Sequence, residues 1–377
     1  MSVTIKKVSD RRELATFINF AESLYKDSPY YVPNLFFDQV DTLDPARNPA
    51  SAFCESELYL AYKDGRLVGR VAAIVNNKAN EQWNHKEVRF GWYDFTDDPE
   101  VSRALMDKVE EFGRARGMES VVGPLGFTDF DPEGMLVEGF DKQGTMALIY
   151  NHPYYNDHIR AMGFEKDADW VEYRIEIPDA MPDRVLRMMD IIKKRTDVHF
   201  ARVNRRQLKK NGYGRKIFDL INTCYHNLYN FTVLPGDLSD KYLNFYLSVL
   251  DLDYVSLIEN GDNELVAFAI SMPSLAAALQ KNRGKLFPFG WFPIVRDMYF
   301  NTSKGVELLL IGVRPDYQDK GVNVLLMNDV HERYIRKGLK WAETNAMLET
   351  NLKQLGQMRD YNRLAEKRRR SYKKPLN

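Results

Sequence analysis

The residues whose types and spacing could do chemistry lie in one run, Glu307-Leu308-Leu309-Leu310-Ile311-Gly312-Val313-Arg314-Pro315-Asp316-Tyr317-Gln318-Asp319-Lys320-Gly321-Val322-Asn323. The apolar stretch 306–313 predicts a strand, the polar residues after it a short loop, and the pattern from Gly321 onward a helix. The first turn of such a helix presents unpaired backbone N–H groups and the positive end of the helix dipole. Gly321 has no Cβ and would let an anion approach the backbone, and Lys320 adds a local cation. Together these features predict a cradle for a pyrophosphate.

The spacing Gln318-Asp319-Lys320-Gly321-Val322-Asn323 resembles the Gln-x-x-Gly-x-(Gly/Ala) acyl-CoA signature of the GNAT (Gcn5-related N-acetyltransferase) superfamily. The preceding Val313-Arg314-Pro315-x-Tyr317 is similar to that family's passage from strand to loop, while Asn323 departs from the small residue of its third position. The resemblance implies an α/β mixed sheet that binds acetyl-CoA or another acyl-CoA as cosubstrate and transfers the acyl group to an amine. It implies that Ile311, Gly312 and Val313 hold the thioester, their backbone N–H groups polarising its carbonyl and stabilising an oxyanion. The amine must lose a proton, and Glu307 and Glu343 are the candidate bases. The family's general acid, a tyrosine in the last helix, would be Tyr361, although it falls later than the family spacing places it. Three readings stay open: an N-acyltransferase, a non-catalytic CoA- or ligand-binding protein, and a relative of the Fem peptidoglycan amino-acid ligases, which are also tandem GNAT folds.

The elements that must position this loop recur along the chain. Leu58–Tyr62, the turn Asp64-Gly65 and Leu67–Ile74 predict a hairpin. Tyr254–Ile258, the turn Glu259–Asp262 and Leu265–Ile270 predict another. In the first half a strand at Glu87–Tyr93 precedes a helix with Val101, Leu105, Val109 and Phe112 on one face, and Gly117 caps it. In the second half a strand over Val306–Val313 precedes a helix with Val322, Leu325, Leu326, Val330 and Tyr334 on one face, ending at Gly338. The shared order predicts two tandem GNAT-like units, 1–178 and 183–377, divided at Ile177–Pro182. In the first unit Phe95-Thr96-Asp97-Asp98-Pro99-Glu100 stands where the cofactor loop should be, and its carboxylates would repel a pyrophosphate. Two long aromatic segments, Thr128–Tyr155 and Pro273–Thr302, fit either packing between the units or the walls of an acceptor cleft.

Composition narrows the classes. The 377 residues suit two domains, and 53 Lys+Arg against 53 Asp+Glu give no net charge, which speaks against a general nucleic-acid binder. Two distant cysteines, Cys54 and Cys224, exclude a disulfide scaffold, and no metal-ligand spacing is present, so no metal is expected. No apolar run is long enough to cross a bilayer, and a cytoplasmic protein is expected. The basic tail Arg363–Lys374 reads as a solvated strand with some cations near the CoA phosphates, with nucleic acid or acidic lipid as the alternative.

Overall fold

The computed structural model describes residues 2–181, 183–210, 212–236, 239, 251–300, 302–359 and 361–376. Among these residues fourteen strands, here labelled in chain order, build one mixed sheet. The first half contributes β1 (Thr4–Lys7), β2 (Cys54–Lys63), β3 (Arg66–Asn76), β4 (Glu87–Phe95), β5 (Ser120–Gly123), β6 (Met135–Glu138) and β7 (Glu165–Glu176). The second contributes β8 (Val198–Phe200), β9 (Val255–Asn260), β10 (Leu265–Pro273), β11 (Gly305–Val313), β12 (Trp341–Thr344), β13 (Met347–Leu348) and β14 (Arg363–Pro375). Both predicted hairpins form, as β2–β3 and β9–β10.

The strand order is β1-β2-β3-β4-β5-β14-β7-β12-β11-β10-β9-β8, with β6 beside β14 and β13 beside β7. Read from either edge, it gives the same sequence of parts: an edge strand, an antiparallel hairpin, a further antiparallel strand, and a parallel neighbour (β5 on β4, β12 on β11). The next strand inward comes from the other half. β14, the last strand of the second half, pairs with β5, and β7, the last of the first half, pairs with β12. β7 and β14 then pair with each other over ten residue positions at the centre. The two halves exchange their final strands, and the linker at 177–182 lies just past β7.

Each half packs an amphipathic helix on its sheet. Pro99–Arg114 buries Val101, Leu105, Val109 and Phe112 against β3 and β4, and Val322–Arg336 buries Val322, Leu325, Leu326, Val330 and Tyr334. The 3.6-residue spacing that marked these faces in the sequence is the spacing the sheet requires.

The basic tail is not a solvated strand. In β14 the side chains of Lys367 and Arg369 are almost wholly buried, and their charges are matched by acids on neighbouring strands. Lys367 Nζ lies 3.0 Å from Glu172 and 2.6 Å from Glu343, and Arg369 pairs with the other oxygen of Glu172. Arg370 binds Asp169 at 2.7 Å, and Lys374 binds Glu110 at 2.6 Å. A strand inserted between two others is buried on both sides, so its cations persist only because each meets an acid.

Candidate functional site

β11 and β12 pair from Gly305–Leu308 with Trp341–Thr344 and then part. A register shift at Ile270/Ser271 of β10 leaves Leu309 as the extra residue of β11, and this bulge bends β11 away from β12. Asn345 reaches across the gap, its Nδ2 donating to the Leu309 carbonyl at 3.0 Å. A cavity of about 540 Å³ opens there. One side is lined by Gln318, Asp319, Asn323, Met327 and Val330, and the other by Asp129, Glu133, Tyr225 and Tyr229, so the cavity joins the two faces of the sheet. Between them the walls are largely apolar: Phe130, Trp170, Leu228, Phe231, Leu308, Leu310, Met347, Leu348 and Met358.

At one mouth the loop after β11 folds as the sequence predicts, with a single tight turn at Pro315–Tyr317 followed by the helix Val322–Arg336. Asp319 (φ 61°) and Gly321 (φ 85°) adopt the left-handed region, which turns successive backbone groups into the loop. The reason for glycine at 321 differs from the expected one. A Cβ there would lie 2.9 Å from Ile192 Cδ1, so the residue is set by its positive φ and by packing on the helix Asp183–Thr196. Lys320 Nζ sits 4.8 Å from the Tyr317 ring centre. Asp319 pairs with Lys353 at 2.7 Å, and Gln318 Nε2 donates to the Val313 carbonyl at 3.1 Å. A helix N-terminus with left-handed residues before it and Lys320 beside it fits a pyrophosphate.

The strand wall is more elaborate than the sequence suggests. Arg314 N–H bonds the Val266 carbonyl, which sets Ile311 and Val313 with their backbone groups pointing away from β10, toward the gap. The Tyr225 hydroxyl meets Ile311 there, donating to its carbonyl at 2.9 Å and accepting from its N–H at 3.1 Å. An acyl carbonyl held by the Ile311 N–H therefore meets the Tyr225 hydroxyl first. Gly312 faces the opposite side, where a Cβ would lie 2.5 Å from Phe268.

Ile311, Gly312, Val313, Gln318, Asp319 and Asn323 line the cavity; Lys320 and Gly321 shape its mouth; Val322 belongs to the core. Glu307, Glu343 and Tyr361 are not among the lining residues. Glu307 is buried, accepts a hydrogen bond from Ser274 Oγ at 2.8 Å, and is pushed up to about 7 by burial. Glu343 is held by Lys367 and by Arg174 Nε at 2.9 Å. Tyr361 stacks on His331, ring centres 5.1 Å apart. The predicted last helix is only Leu352–Gln357, and the chain leaves it for β14.

The other mouth carries residues that sequence reasoning did not single out. Asp129 and Glu133 come from the first half, in the long segment 128–155, one of whose two readings was the wall of a cleft. Burial pushes both carboxyls up; the Arg89 guanidinium opposes the shift in each, and the charge of Asp129 pushes Glu133 further. Asp129 accepts the Thr232 N–H at 2.9 Å. Gly134, next to Glu133, has φ 75°, and a Cβ there would lie 2.9 Å from Arg369 Cβ, so the backbone beside the acids packs closely on β14. The segment 273–302 lines none of this cavity.

The corresponding gap in the first half is nearly filled. Its cavity is about 60 Å³ and is lined by Tyr25, Asp94 and Tyr155, with the Tyr25 hydroxyl 2.7 Å from Asp94 and 2.8 Å from the Tyr155 hydroxyl. Asp98 caps the helix Pro99–Arg114 by accepting the Glu100 N–H at 2.9 Å, and Lys63 neutralises Asp98 and Glu100. Among the described residues no cluster of three or more His, Cys, Asp or Glu is arranged to hold a metal, and no helix is long and apolar enough to cross a membrane.

No protein-family model matches the chain. Two curated proteins are similar to it along most of their length. Protein YghO of Escherichia coli (strain K12) is 25% identical over 356 residues, 92% of this chain and 89% of that protein. A bacterial ceramide synthase of Caulobacter vibrioides (strain NA1000 / CB15N) is 26% identical over 324 residues, 84% of this chain and 82% of that protein. Among solved structures, a tandem GNAT protein from the clavulanic acid biosynthesis pathway superposes with a TM-score of 0.57 at 12% identity, covering 100% of this chain and 99% of the other. A GCN5-related N-acetyltransferase from Sphaerobacter thermophilus gives 0.52 at 11% identity, over 100% of this chain and 96% of its own. With the bulged, parted strand pair, the loop and the repeated strand order in place, the chain has the tandem GNAT fold.

Proposed function

We propose that this protein is an acyl-CoA-dependent N-acyltransferase whose acceptor is an amphipathic, long-chain amine. The observation that carries the reading is the 540 Å³ cavity between β11 and β12, with an anion cradle at one mouth, carboxylates at the other and apolar walls between. Acyl-CoA supplies the activated carbonyl; the residues of the chain do the rest. The Gln318–Asn323 loop and Lys320 bind the pyrophosphate, and the β11 backbone at Ile311 and Val313 orients the thioester. Asp129 attracts the acceptor's ammonium group and takes one proton from it, and the freed nitrogen lone pair then bonds to the carbonyl carbon. The carbon–sulfur bond breaks, the leaving thiolate takes a proton from the Tyr225 hydroxyl, and the surplus proton on the new amide nitrogen restores that hydroxyl. The sum is ammonium plus acyl-CoA giving amide plus CoA thiol, with one proton left on Asp129 for release to solvent.

The substrate class draws support from the relative named ceramide synthase, since a ceramide is an amide of a long-chain amino alcohol. The lining by Phe130, Trp170, Leu228, Phe231 and Met347 suits an alkyl chain. The test is release of CoA thiol, with the amide identified by mass, from acyl-CoAs of graded length and a long-chain amino alcohol. Lys320→Glu is expected to raise KM for acyl-CoA by about tenfold, because it reverses a charge at the phosphate cradle. Asp129→Asn should lower kcat by about 100-fold or more with acyl-CoA binding retained. Calorimetric binding of acyl-CoA without turnover of any amine would leave a CoA-binding protein, and absence of binding would overturn the site assignment altogether.

A further inference from the structure

Among the described residues, the segment 281–305 carries the largest cluster of exposed large apolar side chains, and none of these lines the cavity. Its helix, Trp291–Phe300, packs Ile294 and Met298 onto Leu275, Leu279 and Val32. Its outward residues are also apolar: Trp291, Phe292, Val295, Tyr299 and Phe300 are all exposed, Phe300 to 72%. The turn before the helix adds Phe287 and Phe289, exposed to 85% and 78%. This turn is not loose: Asn282 Nδ2 donates to the Gly290 carbonyl at 2.8 Å, and the Trp291 N–H bonds the Leu286 carbonyl at 3.0 Å. The turn holds these rings toward solvent, and clusters of exposed apolar side chains of this kind mark interaction surfaces.

The charge around the patch identifies the partner. Within 281–305 there are five cations (Lys281, Arg283, Lys285, Arg296 and Lys304) and one acid, in a chain whose totals are equal at 53 and 53. The one acid, Asp297, is buried and faces Thr302 and Arg296. Arg283 and Lys285 line a shallow surface depression with Lys26 and Glu22, and the Arg283 side chain is 70% exposed. Aromatic tips flanked by cations are what a protein presents to a bilayer surface with anionic headgroups. A second copy seated on the same patch would bring five cations against five and repel.

We propose that 281–305 is a membrane-docking surface that inserts Phe287, Phe289, Trp291, Phe292 and Phe300 among the headgroups of an anionic bilayer, lying on the membrane without spanning it. This inference stands on exposure and charge alone and is independent of the acyl-transfer reading. The test is cosedimentation of the full chain with vesicles of phosphatidylcholine, with and without phosphatidylglycerol, across a salt series. The parent is expected to sediment with the anionic vesicles and to be released by salt. Phe287→Ser with Phe289→Ser should weaken this binding by at least about tenfold. Arg283→Glu with Lys285→Glu should abolish the preference for anionic vesicles. Circular dichroism melts unchanged from the parent show that both double variants fold, as expected for exposed sites. A parent that stays in solution with anionic vesicles overturns the proposal, and so does equal binding by the double Phe variant. A parent dimer in light scattering that the double Phe variant splits would assign the patch to a second copy instead.

Discussion

Glu307 sits in an environment that its place in the sequence does not suggest. Proposed from the sequence as a base, it lies beside the Glu343 position of β12 and under Ser274, with its carboxyl pushed up to about 7 by burial. Its folded value lies above its unfolded one, so the native state holds the proton more tightly. Stability therefore falls as pH rises from about 4.5 to about 7, then levels. Glu307→Gln removes the titration and keeps an oxygen for Ser274. The variant should melt higher than the parent by roughly 1–4 °C at pH 8 and converge with it near pH 5. A thermal shift independent of pH would mean that Glu307 does not titrate as its burial dictates. Residues were unevenly legible. Gly321 was readable as a glycine at the entry to a helix, whereas its positive φ and its close packing on Ile192 are visible only in the structure. Tyr225 was not, because a tyrosine on an amphipathic helix carries no mark of a hydroxyl that bonds a strand 86 residues away.

At the scale of elements, β14 decides the most. It supplies the cations that neutralise Glu172, Glu343 and Asp169, acids that β7 and β12 bury. Removing one partner of a buried pair costs about 3–5 kcal/mol, and removing the strand would orphan several acids and open the edges of β5 and β7 together. Against a total stability of about 5–15 kcal/mol, this loss wins. Truncation before Arg363 should therefore give an insoluble or unfolded chain, seen as lost soluble yield and a collapsed circular dichroism spectrum. A truncated chain that keeps the parent's spectrum would show that the strand is dispensable. The hairpins and the two helix faces were legible because their periodicity is local. β14 was not: its cations pointed to a solvated face, and the acids that bury them lie about 200 residues away in β7.

For the whole molecule, the repeated strand order was foreseeable from the repeated hairpins, but the exchange of last strands was not. Reading the halves as successive units, 1–178 and 183–377, rests on local pattern, and nothing in the sequence of β7 or β14 names its neighbour. The exchange makes the core of each half depend on the other. One cooperative heat transition is expected in calorimetry, with calorimetric and van't Hoff enthalpies agreeing within about 20%. Two separated peaks would show halves that melt alone. The site shares this dependence: β11 and its loop belong to the second half, whereas Asp129 and Glu133 come from the first.

The position of β14 in the chain also bears on synthesis. Domains commonly fold as they leave the ribosome, N-terminal part first. Here the strand that separates β5 from β7 is the last of the described strands to be translated. The nascent first half must wait, with a slot open in its middle and with Glu172 lacking its counterions, until translation has passed through the entire second half. Premature termination or a long pause would leave that slot free to accept a strand from a neighbouring nascent chain, so the order of translation sets when the protein is most vulnerable to mispairing.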